Sequence, residues 1–342
     1  MVARWPSGQV AAGNQATRQP MLNIYTNSVF YRHDTGVGHP ETASRIDAAL
    51  EGVRRAGLAE SVLRDSSVHP ETVRMIGKVH TPGYERELED ACAAGFRLFH
   101  SLDNPISRST FAAARAAVAT SLVAAEDIWK RGDSKRAFVV ARPPGHHAER
   151  IEAMGFCFFN TIACVAEWLR EQPGIERVFI FDFDVHHGNG TQHLFDDRDD
   201  VFYASMHRYP FYPGTGASDE IGVGKGRGYT RNIPLDAGEG DVAYLSAVEN
   251  EIVRIIDAYR PNAILLSSGF DAHRRDPLGG MSVSEQAYGE ITRRIVECAE
   301  RHCDGRLLSL LEGGYDMEGL AASVMEHVLS LGGSASTNPP AG

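Results

Sequence analysis

Short apolar runs rich in β-branched residues alternate along this chain with longer segments of helical periodicity. The runs predict strands at Leu22–Tyr25, Ala137–Ala141, Val178–Phe183, Val201–Ser205, Ala263–Ser267 and Leu307–Leu311. The longer segments predict helices at Phe111–Lys130, Asn160–Glu171, Ala243–Tyr259 and Ser284–His302. This alternation is typical of βαβ units, and it predicts one α/β domain built on a parallel sheet with long loops.

Polar clusters follow five of these strands directly. The clusters read ARPPGHH, DFDVHHGNG, SMHRYPFYPGTG, SSGFDAHRRDP and EGGYD. In open parallel α/β sheets, ligands bind beyond the carboxyl ends of the strands. We therefore expect the five loops to converge on one pocket.

Two of these loops carry the residues of a candidate metal site. Asp184 and His186 are two positions apart, so in an extended segment their side chains point to the same side. Asp271 follows a later strand and adds a second carboxylate. Three protein ligands leave coordination positions open, which is the arrangement of catalytic sites. Without a thiolate the site suits Zn²⁺ or Fe²⁺.

The His146-His147 pair and Tyr315 supply candidate acid–base and oxyanion groups. A neutral imidazole can take a proton from water and return it to a leaving amine. Asp182 and Asn189 flank the metal motif and are suitable acceptors for the far ring nitrogens. A carboxylate partner favours imidazolium more than an amide does, so the two histidines would differ in pKa. The Tyr315 phenol could donate a hydrogen bond to an oxyanion.

Charge and composition restrict the partners and the compartment. The 342 residues carry 34 Lys plus Arg against 45 Asp plus Glu, a net charge of −11. Such a chain gains little from phosphate backbones, so we expect no nucleic-acid partner, whereas cationic substrates would be attracted. We expect no membrane span, because no apolar run approaches ~18 residues. Five cysteines without a CxxC pair indicate reduced thiols and a cytoplasmic protein.

We interpret residues 1–20 as a mobile leader, 21–331 as the catalytic domain and 332–342 as a disordered tail.

Five motifs in order resemble the histone deacetylase and acetylpolyamine amidohydrolase superfamily. They are RPPGHHA (142–148), GFCFFN (155–160), DFDVHHGNGTQ (182–192), SGFDAHRRDPLGGM (268–281) and LEGGYD (311–316). The resemblance covers about residues 31–331. It implies a single arginase/deacetylase-like α/β domain, with helices on both faces of a central, mostly parallel sheet. By similarity Asp184, His186 and Asp271 bind zinc, and His147 is the general base and acid.

The resemblance assigns further roles residue by residue. His146 with Asp182 gives electrostatic support, Asn189 is the partner of the second histidine, and Tyr315 polarises the carbonyl. By similarity Gly155, Phe156 and Tyr212 would line a narrow tunnel for the acyl-bearing chain, and Asp103 matches a rim aspartate that grips substrate backbone. Leu278 and Gly313 are further substrate-binding positions. Arg45 matches an arginine near an internal acetate channel.

Structural K⁺ or Na⁺ sites are also implied by the resemblance. One would use Asp182, Ser205 and the carbonyls of Asp184, His186 and Met206. A second would use the carbonyls of Phe195, Arg198 and Val201, with Tyr229.

Three positions refine the subgroup. Asn189 stands where class I members carry aspartate, and RPPGHH also looks like class II, as in bacterial histone deacetylase-like amidohydrolases. Tyr315 is retained where some class II members have histidine. Leu278 occupies the position of a glutamate that the eukaryotic polyamine-selective branch carries.

The resemblance favours a metal-dependent deacetylase acting on acetyl-lysine peptides or proteins, or on related acylated alkylamines. Acetylpolyamine hydrolysis is the second hypothesis, supported by the acidic charge. A binuclear manganese ureohydrolase would need further bridging ligands, and His187 and Asn189 do not supply them. A non-catalytic acyl-binding module would require the loss of a catalytic residue, and none is missing. Relatives include monomers, dimers and tetramers, so a homo-oligomer is compatible with the sequence.

Overall fold

A computed structural model of the chain describes residues 21–64 and 68–333. The predicted leader, residues 1–20, lies outside the described residues. Of the predicted tail, 332–342, only Gly332 and Gly333 are described, and they form a turn after the last helix. Both interpretations therefore stay predictions.

The described residues contain one eight-stranded sheet in which every strand pair is parallel. A separate two-stranded antiparallel hairpin consists of β3 and β4. The strands are β1 (Leu22–Thr26), β2 (Val62–Arg64), β3 (Leu98–Phe99), β4 (Ser101–Pro105), β5 (Arg136–Val139), β6 (Val178–Asp182), β7 (Val201–Arg208), β8 (Thr230–Leu235), β9 (Ala263–Ser268) and β10 (Leu307–Leu311). The spatial order in the large sheet is β2-β1-β5-β10-β9-β6-β7-β8.

Helices cover both faces of this sheet. They are α1 (Ser44–Arg55), α2 (Thr72–Val79), α3 (Pro82–Ala94), α4 (Thr110–Glu126), α5 (Thr161–Arg170), α6 (Asn189–Phe195), α7 (Asp241–Ala247), α8 (Val253–Tyr259), α9 (Glu285–His302) and α10 (Met317–Leu331). On one face α1 and α9 pack against α10, and on the other α2 and α4 pack against α5.

The central strands are buried along their whole length. Every residue of β6 and β9 is inaccessible to solvent, so neither strand shows the alternation of a half-exposed sheet. Continuous apolar runs are expected where helices cover a parallel sheet on both sides. The same runs made these strands recognisable in the sequence.

All six predicted strands and all four predicted helices are present, with shifts of a few residues at their ends. Ser284, the first residue of the predicted helix, instead precedes α9 and caps it by accepting a hydrogen bond from the Ala287 amide. The predicted helix at 111–130 ends in a π-helical turn, Asp127–Arg131. The helix at 243–259 contains a second one, Val248–Ile252, between α7 and α8.

The five polar loops all leave the carboxyl ends of neighbouring strands, β5, β10, β9, β6 and β7. Parallel pairing places these ends at one edge of the sheet, so the predicted convergence is confirmed.

None of the described helices combines the length and the apolar character needed to cross a membrane. All five cysteines are buried and unpaired.

Candidate active site

The three predicted metal ligands meet at the end of β6 and β9. The ligand atoms of Asp184, His186 and Asp271 all lie within 4.8 Å of one another. His186 Nδ1 is 3.0 Å from Asp184 Oδ1 and 3.2 Å from Asp271 Oδ2. The Val185 amide donates to the other oxygen, Asp271 Oδ1, at 2.9 Å and fixes that carboxylate.

The charges in this group are those expected where a cation belongs. Asp271 Oδ2 is buried, and its nearest donor among the described residues is His186 Nδ1, with which it makes no well-aligned hydrogen bond. Burial and the neighbouring Asp184 charge raise the pKa of Asp271 to about 7. Burial disfavours a charge on His186, but the two carboxylates outweigh it and raise its pKa to about 9. A proton on His186 thus partly offsets negative charge that a divalent ion would neutralise.

Two glycines leave the space beside the carboxylates open. A Cβ at Gly313 would collide with Asp271 Oδ2, and one at Gly269 would collide with Asp184 Oδ2. The Gly313 amide donates to Asp184 Oδ2 at 2.8 Å. The donor set, the Asp271 oxygen that lacks a well-aligned hydrogen bond and this space fit a divalent metal ion.

His146 and His147 lie side by side with different partners. His146 Nδ1 is 3.0 Å from Asp182 Oδ2, which also accepts from the Tyr203 hydroxyl at 3.2 Å. Burial alone would lower the pKa of His146, but Asp182 and Asp184 outweigh it and raise the pKa to about 10. His146 is therefore positively charged at neutral pH.

His147 Nδ1 lies 2.7 Å from Asn189 Oδ1. Burial lowers the pKa of His147 well below its usual value, and the positive charges of His146 and His186 lower it further. An amide partner cannot offset these effects as a carboxylate would. His147 is therefore neutral at neutral pH, and its pKa differs from that of His146 in the predicted direction.

Glu312 supports the loop that carries both histidines, a role that the sequence did not reveal. Its Oε2 accepts hydrogen bonds from the Gly145 amide at 2.7 Å and the His146 amide at 3.2 Å. Burial raises the pKa of Glu312 to about 7. Glu312, His146 and Cys157 form a second group with metal-ligand spacing. Asp182 and the backbone amides already engage His146 Nδ1 and Glu312 Oε2, so this group suits a metal less well.

A narrow cavity of about 160 Å³ leads to the candidate metal site. All six predicted substrate-binding residues line it, and so do His146, His147, His186 and Tyr315. Pro144 also lines it and was not predicted. The rings of Tyr212 and His147 meet edge to face at 5.1 Å, and Phe156 meets Tyr315 at 5.9 Å.

Asp103 closes one side of the tunnel mouth. Its Oδ2 accepts from the Gly155 amide at 3.0 Å and from the Tyr212 hydroxyl at 3.0 Å, while Ser101 donates to Oδ1. Burial would raise the pKa of Asp103, but these hydrogen bonds lower it overall. Asp103 is thus ionised and holds Tyr212 in place across the opening.

Arg45 lies beneath Tyr315, fully buried, with its guanidinium carbon 4.8 Å from the ring centroid. It donates to the Gly314 carbonyl at 2.7 Å and to the Glu312 carbonyl. Glu41 accepts from Arg45 at 3.2 Å and from Arg142 Nη2 at 2.6 Å. This buried cluster ties the loop after β5 to the loop after β10, and Glu41 is a second residue that the sequence did not reveal.

The residues of the first predicted monovalent site are close together. Asp182 and Ser205 are paired neighbours on β6 and β7, and both are buried. In the second group, the Arg198 amide donates to the Phe195 carbonyl at 3.0 Å. Tyr229 lies just before β8 and accepts from the Tyr203 amide through its own carbonyl. Both sites stay predictions. His187 is hydrogen-bonded to Thr215 and Gln192.

Comparison with known proteins agrees with this fold. A family model described as the histone deacetylase domain matches residues 39–331. A probable deacetylase of Archaeoglobus fulgidus is 38% identical over 301 residues, covering 87% of this chain and 82% of the relative. A histone deacetylase-like amidohydrolase of Pseudomonas aeruginosa is 36% identical, covering 81% and 71%.

A solved structure is also similar. The crystal structure of the HDA15 HD domain has a TM-score of 0.86 and 32% sequence identity, covering 94% of this chain and 91% of that one. The molecule is a single α/β domain with the arginase/deacetylase fold. Within that class, the chain belongs to the histone deacetylase family.

Proposed function

We propose that this protein is a zinc-dependent amidohydrolase that removes acetyl or other short acyl groups from N-acetyl-lysine side chains or related N-acetylated alkylamines, releasing acetate. One observation carries the proposal: Asp184, His186 and Asp271 converge at the inner end of a narrow tunnel, with His147 and Tyr315 beside them.

The chemistry of the ligand set supports zinc. Two carboxylates and one imidazole neutralise a divalent ion and leave positions open, and Fe²⁺ is the alternative that the same donors accept. When bound, the ion would supply Lewis-acid activation of water and of the substrate carbonyl. Elemental analysis after reconstitution would measure one metal ion per chain.

His147 is suited to move the proton. Asn189 Oδ1 accepts at Nδ1, so the neutral ring carries its hydrogen there and keeps a lone pair on Nε2. Nε2 can take a proton from the attacking water and later return it to the departing amine. His146, held as imidazolium by Asp182, adds positive charge beside the developing oxyanion.

Tyr315 is placed to donate a hydrogen bond to that oxyanion. Burial raises the pKa of its phenol well above the usual value, so the donor proton stays in place at neutral pH. Arg45, below the ring, holds the carbonyls of the loop in which Tyr315 lies. The donor is therefore fixed before substrate binds, which is the condition for strong oxyanion stabilisation.

The tunnel favours a linear acylated chain. Its volume of about 160 Å³ is smaller than the roughly 300–1,000 Å³ of ordinary small-molecule pockets. Phe156 and Tyr212 would pack against the methylenes, and Asp103 would accept a backbone N–H of the substrate. The net charge of −11 would attract a cationic substrate such as a lysine-rich peptide or an acetylated polyamine.

A substrate panel on zinc-reconstituted protein tests the proposal. Acetyl-lysine peptides and acetylspermidine should be compared at low and high salt, with acetate release as the measurement. We expect hydrolysis that a chelator abolishes, with the peptide preferred. Faster hydrolysis of acetylspermidine would assign the polyamine branch. Inactivity on the whole panel, or activity that chelators leave unchanged, would contradict the proposal.

A further inference from the structure

A chain of hydrogen bonds runs from His147 to the protein surface. His147 Nδ1 is 2.7 Å from Asn189 Oδ1, and Asn189 Nδ2 donates to Glu149 Oε1 at 2.6 Å. The same Glu149 oxygen lies 2.7 Å from Nδ1 of His193, whose side chain is 43% exposed. Nothing in the sequence motifs marks Glu149 as functional.

Asn189, in the middle of this series of hydrogen bonds, has an amide that could be oriented in either of two ways. An asparagine amide accepts at one end and donates at the other, and the two orientations differ little in shape. Only the orientation with Oδ1 toward His147 puts the imidazole hydrogen on Nδ1. The reverse orientation would direct an N–H at His147 and place the imidazole hydrogen on Nε2, where the lone pair is needed.

Glu149 is the group that selects the orientation. A carboxylate only accepts hydrogen bonds, so it requires the donor end of Asn189 to face it. The other acceptors near Nδ2 are the His147 carbonyl at 3.4 Å and Met154 Sδ at 3.2 Å. Both are weaker partners than a carboxylate oxygen at 2.6 Å.

Glu149 also explains why an amide rather than a carboxylate stands at position 189. An aspartate there would place an oxygen where Asn189 Nδ2 now lies, 2.6 Å from Glu149 Oε1. Two carboxylates that close cannot both ionise without a large cost. The identities of residues 149 and 189 are therefore coupled.

We propose that Glu149 is a positioning residue that acts through Asn189 to fix the tautomer of His147. This inference rests on the proposed hydrolase function. It assigns Glu149 no contact with substrate or metal.

A double-mutant cycle tests the coupling. Asn189→Asp alone should lower kcat by about 10-fold or more, the usual size of an outer-shell effect, with KM little changed. Adding Glu149→Gln should restore most of this loss, because the introduced glutamine amide can donate to the introduced carboxylate. A rate for the double variant that equals the product of the two single effects would overturn the proposal.

Two further variants separate positioning from general damage. Glu149→Ala, which removes the acceptor, should lower kcat by about 10-fold and leave KM unchanged. Glu152→Gln makes the same charge change on the same loop, at an exposed side chain, and should have wild-type kcat. Equal losses in Glu149→Ala and Glu152→Gln would also overturn the proposal.

Thermal unfolding of the metal-free proteins gives a readout that does not depend on activity. Asn189→Asp should lower Tm, and adding Glu149→Gln should restore it. If the wild type hydrolyses no acylated amine, the proposed function fails, while the Tm cycle still supports or contradicts the coupling. If the wild type is active but neither kcat nor Tm shows rescue, only the positioning role of Glu149 fails.

Discussion

The inner end and the mouth of the tunnel are built differently. The inner end comprises Asp184, His186, Asp271, His146 and His147, which lie at strand ends and are almost wholly buried. The mouth comprises Asp103 on β4 and Phe156, Leu278 and Tyr212 on loops, and Tyr212 is 37% exposed. Buried groups held by fixed partners suit chemistry, whereas exposed loop residues suit the choice of substrate. Substitutions at the inner end should therefore change kcat, and those at the mouth should change KM.

The largest effect should follow from Asp271→Asn at the inner end. This change removes one anionic ligand but keeps the shape, so we expect zinc binding and activity to be lost together. The metal-free variant should unfold at the wild-type temperature or above it, because burial beside Asp184 already disfavours the Asp271 charge. Metal content, acetate release and Tm are the measurements. Full activity with a normal zinc content would refute the predicted ligand set.

Below the inner end, Glu41→Ala should destabilise the fold strongly. It would leave the buried Arg142 and Arg45 guanidiniums without their carboxylate, and breaking such a cluster costs about 3–5 kcal/mol. Urea unfolding measures the loss. Glu51→Ala removes an exposed carboxylate from α1 and serves as the control. A similar stability for both variants would contradict this role of Glu41.

The same cluster gives a pH dependence. Burial would raise the pKa of Glu41, but Arg142, His33 and Arg45 outweigh it and lower the pKa to about 2. A carboxylate with a lowered folded-state pKa stabilises the fold above its unfolded value near 4.5, and this stabilisation is lost as pH falls toward 2. Urea titrations between about pH 7 and pH 3 should show stability falling in acid, with a smaller fall in Glu41→Gln.

Tyr315→Phe should cut kcat by about 10²–10³, the cost of one oxyanion donor, with the metal content unchanged. KM should change little, since the ring and its packing against Phe156 remain. Single-turnover acetate release measures the chemical step. A kcat within a few-fold of wild type would remove Tyr315 from the mechanism.

The smallest effect should come from the mouth. Tyr212→Phe removes the hydrogen bond to Asp103 and lets that carboxylate move, at a cost of about 1 kcal/mol. We expect KM for an acetyl-lysine peptide to rise by roughly fivefold, the equivalent of that energy, with kcat unchanged. A small acetylated amine without backbone amides should show no change. A large fall in kcat would contradict the expectation that substitutions at the mouth change KM and leave kcat unchanged.

Much of the fold was predictable because its signals are local. Strands β6 and β9 are continuous apolar runs, and Ser284 is a recognisable cap for α9. Strand β8 was missed because it contains Arg231 and Pro234 within six residues. A proline is tolerated there because β8 is an edge strand with a free side.

The site divides in the same way. Asp184 and His186 were predictable from their spacing, and Asp271 from its place after a strand. Glu41 and Glu149 were not, because each acts through a partner far along the chain, Arg142 and Asn189 respectively. A carboxylate that acts through a distant partner leaves no periodic signature in a sequence, and its importance appears only when the fold brings that partner to it.

Gly313 and Gly269 contribute no side chain, yet the room for a cation depends on them. At these two positions the candidate metal site is bordered by main chain, so the methyl group of an alanine would collide with the carboxylate oxygens and occupy the space for the ion. A comparison of relatives restricted to the acids, histidines and tyrosine of the site would therefore overlook these two glycine positions. Gly269 and Gly313 therefore tolerate no larger residue without a shift of the metal-binding carboxylates.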